Sequence, residues 1–130
     1  MLTQKIGEVY VEGASTLGSM GGVETLVEAK SAGAPAVFRI SSADFRATEA
    51  AQAEVFGPST LLVLCSDVAD AVSVIEGLEG QLTGTIFGVG SDLDAVGTIG
   101  NALESKVGRL IYNQFPTGVE VCSSMVHGGP

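Results

Sequence analysis

The chain has 130 residues, enough for one domain around a single core. An apolar share of 45% and a positive mean hydropathy exclude a disordered polypeptide. The net charge of −9 leaves six basic residues, Lys5, Lys30, Arg39, Arg46, Lys106 and Arg109, scattered and without aromatic interleaving, which excludes nucleic acid and an anionic membrane as expected partners.

The 18 glycines are about twice the usual share of ~7%, so tight turns and close backbone approaches are expected. Cys65 and Cys122 lie too far apart to form a disulfide framework, and Cys65 ends an apolar run as a small hydrophobe would. No apolar segment reaches the roughly 18 residues of a membrane-crossing helix. Residues 1–6 carry no signal-peptide pattern. The expected location is a reducing cytoplasm.

In chain order, Leu2, Ile6, Val9, Gly13 and Leu17 fall at helical spacing on a face that Tyr10 borders. The pattern predicts an amphipathic helix over 2–17 that frays at Gly18. Residues 23–29 fit a short helix or a strand. Ala36–Ile40, with Val37 and Phe38, predicts a strand. Residues 43–53 predict one or two helical turns leading into Glu54. The uniformly apolar stretch 60–65 predicts a strand covered on both faces.

Ser66-Asp67 is a helix start, with Asp70 placed to meet the helix dipole. The inner face of that helix is expected to be Val68, Ala71, Val72, Ile75 and Leu78, with Gly80 ending it. A strand follows over 82–87 and a turn at Gly88-Val89-Gly90. The next helix opens at Ser91–Asp94 and turns Leu93, Val96, Ile99 and Leu103 inward. Gly97 and Gly100 are expected where this helix touches a sheet closely, and Lys106 near its end suits the dipole. Arg109–Asn113 is the last strand. Strand–helix–strand alternation points to an α/β fold, a mainly parallel sheet flanked by helices.

Few residues suggest chemistry by pattern. Gly88-Val89-Gly90 stands where a dinucleotide-binding turn would, but Leu93 replaces the third glycine and no acidic residue follows at the right remove. An ordinary strand-to-helix turn is the better reading. Cys122 and His127 are the only thiol–imidazole pair, five residues apart and with no orienting group. No spacing suits a metal. Asp67, Asp70, Asp92 and Asp94 read as helix-start residues on a solvated face.

Glu54-Val55-Phe56-Gly57-Pro58 is different. An extended segment sends Glu54 and Phe56 to one face, with Gly57 permitting a turn and Pro58 stiffening the exit. A carboxylate can accept bonds from two vicinal hydroxyls, and a benzyl ring can lie beside a heteroaromatic base. A surface turn before a buried strand is the plainer reading of the same residues.

Set with Ala34-Pro35-Ala36-Val37-Phe38 before it, and with Thr83-Gly84-Thr85-Ile86-Phe87 and Gly108-Arg109-Leu110-Ile111-Tyr112-Asn113 after it, this block resembles the late catalytic domain of NAD(P)-dependent aldehyde dehydrogenases. Asn113–Cys122 and Met125–Pro130 are similar to the branch that oxidises 2-oxoglutarate semialdehyde (2,5-dioxopentanoate). The resemblance implies that Glu54 binds the nicotinamide ribose hydroxyls and Phe56 packs beside the nicotinamide ring. It also implies that Asn113 borders the aldehyde site and Phe115 forms part of its wall. In this family a thiolate attacks the aldehyde, hydride passes to NAD or NADP, and hydrolysis releases the acid. The nucleophilic cysteine, the general-base glutamate, the oxyanion asparagine and the nucleotide-binding domain lie earlier in the family's chain than the matching stretch. The polypeptide is therefore expected to be a catalytic-domain fragment over 1–130 that is inactive alone and binds no cofactor or binds it only through these contacts. Two further expectations follow: a homo-oligomer formed through an exposed sheet edge or helix face, and association with the remaining portion of the enzyme. A non-catalytic, self-associating α/β module without nucleotide binding is the alternative. A thiol enzyme using Cys122 is a third.

Overall fold

The computed structural model describes residues 3–116 and clusters into two compact units, Met1–Cys65 and Ser66–Pro130. Each is described by itself.

The first unit opens with α1, Gln4–Gly18, capped by Thr3, whose hydroxyl accepts the Ile6 N–H at 3.2 Å. Its buried stripe is Gly7, Tyr10, Ala14 and Leu17. The stripe is rotated from the sequence expectation: Tyr10 is fully buried while Val9 is 55% exposed. Gly7 and Ala14 are buried although small, and the tyrosine hydroxyl finds partners inside. A count of large apolar residues registers neither effect.

β1, Glu24–Val27, resolves the ambiguous stretch as a strand. It pairs antiparallel with β2, Ala36–Ser41, which pairs parallel with β3, Ser59–Leu64, from Ala36 opposite Ser59 to Ser41 opposite Leu64. The sheet order is β1-β2-β3. Ala36, Phe38 and Ile40 alternate into the core from the central strand. β3 corrects an expectation. Its residues alternate between half-buried and exposed, with Leu62 and Leu64 facing out, so this strand has one open face despite its continuous apolar sequence. The connection from β2 to β3 runs through α2, Ser42–Ala47, and a 3-10 turn, Glu49–Gln52. α2 begins on Ser41, whose hydroxyl accepts the Asp44 N–H and donates to the Asp44 carboxylate.

The second unit begins with α3, Val68–Gly77. Its start matches the sequence reading: Asp67 accepts the Asp70 N–H and Asp70 accepts the Ser66 N–H, both at 2.9 Å. The helix ends at Gly77, before the expected Gly80, and Val74 is its buried residue. β4, Gln81–Ile86, and β5, Val107–Tyr112, form a parallel pair joined by α4, Leu93–Glu104. Lys106 serves the neighbouring helix instead of its own, donating to the Leu78 carbonyl at 2.8 Å.

Two expectations for α4 divide. At Gly100, which is buried, an added Cβ would stand 2.7 Å from the Tyr112 hydroxyl and 3.8 Å from Ile86, so the close approach to the sheet is real there. Gly97 meets nothing, and Leu93 at 70% exposure faces outward. Both units are layers of strand and helix. Among the described residues two of the three strand pairings are parallel, which gives the α/β class.

Candidate functional site

The segment 53–59 lies on the first unit just before β3. Its backbone is shaped by Gly57, at φ +153°, a conformation that side chains rarely adopt. Space imposes the same choice, because an added Cβ would fall 2.3 Å from a ring carbon of Tyr10. The turn is closed internally by the Ser59 N–H to the Gly57 carbonyl at 2.8 Å and the Ser59 hydroxyl to the Val55 carbonyl at 3.2 Å. Its exit is joined to the sheet by the Ala36 N–H, which donates to Pro58 at 3.0 Å. Below it, α1 approaches closely: a Cβ at Gly13 would lie 3.3 Å from Val55.

Glu54 and Phe56 line one open groove of ≈ 550 Å³, together with Leu17, Val55, Ser59 and Leu61. Among the described residues, the exposed Glu54 carboxylate has no hydrogen-bond or ion-pair partner. The Phe56 ring is 59% exposed. A solvated carboxylate and a flat apolar surface border the same space. An acceptor beside a flat apolar surface suits a vicinal diol, which donates, attached to a flat ring.

The second pair of candidates lies on the second unit and is built differently. Asn113 follows β5 at φ +53°, a left-handed conformation that asparagine tolerates better than most residues. Its side-chain amide is engaged at both atoms: the carbonyl accepts the Gly88 N–H and the amide N–H donates to the Gly88 carbonyl, each at 2.9 Å. Its backbone N–H donates to Ile86, also at 2.9 Å. Asn113 thus extends the β4–β5 ladder by one rung made from a side chain. Phe115 is 82% exposed, and its ring meets that of Phe87 at 5.4 Å between centroids and 54° between planes.

Gly88-Val89-Gly90 therefore has a structural occupation. Gly88 is the partner of Asn113, and an added Cβ there would stand 2.7 Å from Val96. The Val89 N–H donates to the Asp92 carboxylate at 3.1 Å. Cys122 and His127 lie outside the described residues. Among the described residues no cluster of His, Cys, Asp and Glu could hold a metal ion, and no helix is long and apolar enough to cross a membrane.

Tyr10 is the residue that sequence reasoning did not single out. Its hydroxyl donates to the Ala34 carbonyl at 2.6 Å, with the Pro58 carbonyl at 3.3 Å. The only available signal was a polar-tipped aromatic within an apolar helix face, since a buried tyrosine needs a partner for its hydroxyl.

Comparison with known proteins gives the class first. The Delta-pyrroline-5-carboxylate dehydrogenase of Mycobacterium tuberculosis matches the chain with a TM-score of 0.73 at 21% identity, over 99% of this chain and 24% of that one. The fold is that of part of an aldehyde dehydrogenase. In sequence, Alpha-ketoglutaric semialdehyde dehydrogenase 2 of Azospirillum brasilense is 40% identical over 135 residues, which is 100% of this chain and 26% of that protein. Alpha-ketoglutaric semialdehyde dehydrogenase of Acinetobacter baylyi is 48% identical over 79 residues, covering 61% of this chain and 15% of its own length. The chain belongs to the aldehyde dehydrogenase family, and it spans about a quarter of the length of the longest-matched of these relatives. No protein-family model matches it.

Proposed function

We propose that this chain supplies the nicotinamide-ribose contacts and part of the substrate wall of an NAD(P)-dependent aldehyde dehydrogenase acting on 2-oxoglutarate semialdehyde. The observation that carries the reading is the groove shared by Glu54 and Phe56, where the carboxylate is left without a partner among the described residues. Glu54 accepts hydrogen bonds from the ribose hydroxyls. Phe56 packs beside the nicotinamide ring and restricts its tilt. NAD(P)+, when bound, supplies the hydride acceptor. Holding the ring fixes which carbon faces the aldehyde, so these residues contribute orientation.

Support comes from the relatives. A second structure of the Mycobacterium dehydrogenase is bound with NAD, and the Azospirillum and Acinetobacter relatives carry the substrate in their names. On the second unit, the exposed Phe115–Phe87 pair is the wall element. Asn113 contributes through the backbone it braces, since both amide atoms are engaged at Gly88. The nucleophilic cysteine and the general base belong to the portion of the family's catalytic domain that this chain does not match.

Calorimetric titration of NAD+ and NADP+ into the protein tests the reading. Saturable heat that Glu54→Gln weakens at least fivefold is the expected result. No heat with either nucleotide at millimolar concentration overturns it.

One observation favours a second reading, a self-associating module without nucleotide binding. β1 and β3 are the outer strands of their sheet, and Leu26, Val27, Leu62 and Leu64 on them are all more than 40% exposed. Apolar strands at an edge pair readily with another chain. Light scattering that returns the mass of a monomer removes this reading, and an oligomer with silent titrations supports it alone.

A further inference from the structure

We propose that Tyr10 is a positioning residue for nucleotide binding: it sets where Glu54 and Phe56 stand, although it touches neither the groove's space nor any ligand within it. The proposal rests on the nucleotide reading of that groove.

Among the described residues neither Glu54 nor Phe56 has an anchor of its own, the first being unpartnered there and the second 59% exposed. Their positions are inherited from the backbone of residues 55–58. That backbone bears on Tyr10 at two points. The ring occupies the space beside Gly57 that any Cβ would need, at 2.3 Å from the nearest ring carbon, so the turn rests directly on the aromatic face. The hydroxyl proton goes to the Ala34 carbonyl at 2.6 Å, and the Pro58 carbonyl stands 3.3 Å away on the other side. Pro58 also accepts the Ala36 N–H. One phenol therefore connects α1, the entry of β2 and the exit of the turn. With Tyr10 fully buried, no water can take over the hydroxyl's bonds.

Leu17, also on α1, lines the groove itself, but an apolar side chain limits approach without imposing a direction. Gly13 meets Val55 only through van der Waals contact, which limits approach but imposes no direction. A hydrogen bond from a rigid ring fixes direction as well as distance.

Tyr10→Phe keeps the ring against Gly57 and removes only the hydroxyl. Two measurements decide. Amide exchange followed by mass spectrometry should speed about fivefold in peptides spanning 53–60, the size expected for one lost buried hydrogen bond, while peptides within 37–41 change far less. NAD+ titration should show a dissociation constant raised severalfold in Tyr10→Phe. Gly57→Ala, which leaves the hydroxyl intact but drives the turn off the ring, should weaken NAD+ in the same way. Unchanged or uniformly faster exchange overturns the positioning role whether or not nucleotide binds. Local loosening with an unchanged NAD+ affinity also overturns it. A wild-type protein that gives no heat sinks the nucleotide reading instead, and the exchange pattern then still decides whether Tyr10 sets the turn.

Discussion

The two candidate groups show opposite ways of handling a polar side chain beside a turn. In the first unit the turn at 54–58 is held by residues other than its candidates: Tyr10 beneath it, Gly57 and Ser59 within it. Glu54 stays unpartnered among the described residues. In the second unit the candidate is itself the brace, because Asn113 uses both amide atoms on the Gly88 backbone. A side chain that commits one donor and one acceptor to the backbone is held by it and has only its second N–H and lone pair to offer a ligand. Under the proposed function, recognition therefore falls to Glu54, while Asn113 braces the backbone at Gly88, although a family resemblance alone places both at the site.

The sharpest way to break this contrast is to remove each side chain's polar function in turn. Asn113→Ala loses both bonds to Gly88 and sets alanine in a left-handed conformation, so a stability loss of about 2 kcal/mol is expected. Glu54→Gln should stay within about 0.5 kcal/mol of the parent. Urea unfolding followed by circular dichroism measures both, and equal losses would erase the distinction.

A smaller effect compares the glycines of α4. Gly97→Ala, in open space, should stabilise by up to about 1 kcal/mol through helix propensity. Gly100→Ala should be near neutral, because displacing the Tyr112 hydroxyl, the movable end of a half-exposed side chain, offsets the same gain. Melting curves that rank the two in the opposite order would show that α4 sits otherwise on its strands.

The smallest expected effect concerns alkali. Burial raises the pKa of Tyr10 above its ordinary value of 10.0. The folded chain therefore keeps this proton longer than the unfolded one does. The associated stability is present below pH 10 and declines as pH rises through the folded value. Tyr10→Phe should flatten that part of the stability–pH curve, and parallel curves for the two proteins would show that Tyr10 does not contribute to it.

Much of this was legible along the chain. Helix starts at Asp67 and Ser91–Asp94, the strand at Ala36–Ile40 and the Gly57 turn depend on neighbours within a few residues, and local pattern reads such features well. The open face of β3 was not legible, because continuous apolar sequence marks a strand without saying how many layers cover it. The true stripe of α1 was hidden because Gly7 and Ala14 contribute by being small.

By itself the sequence determined the order of helices and strands apart from residues 23–29, the family, and the identity of Glu54 and Phe56 as a carboxylate and a ring spaced for one face. Only the tertiary structure decided that Tyr10, 47 residues before Gly57 along the chain, is the floor on which that turn rests, and that Asn113 closes on Gly88. The physical reason is that these contacts join residues distant in sequence, and a hydrogen bond or a steric limit exists only once the chain has brought both partners together.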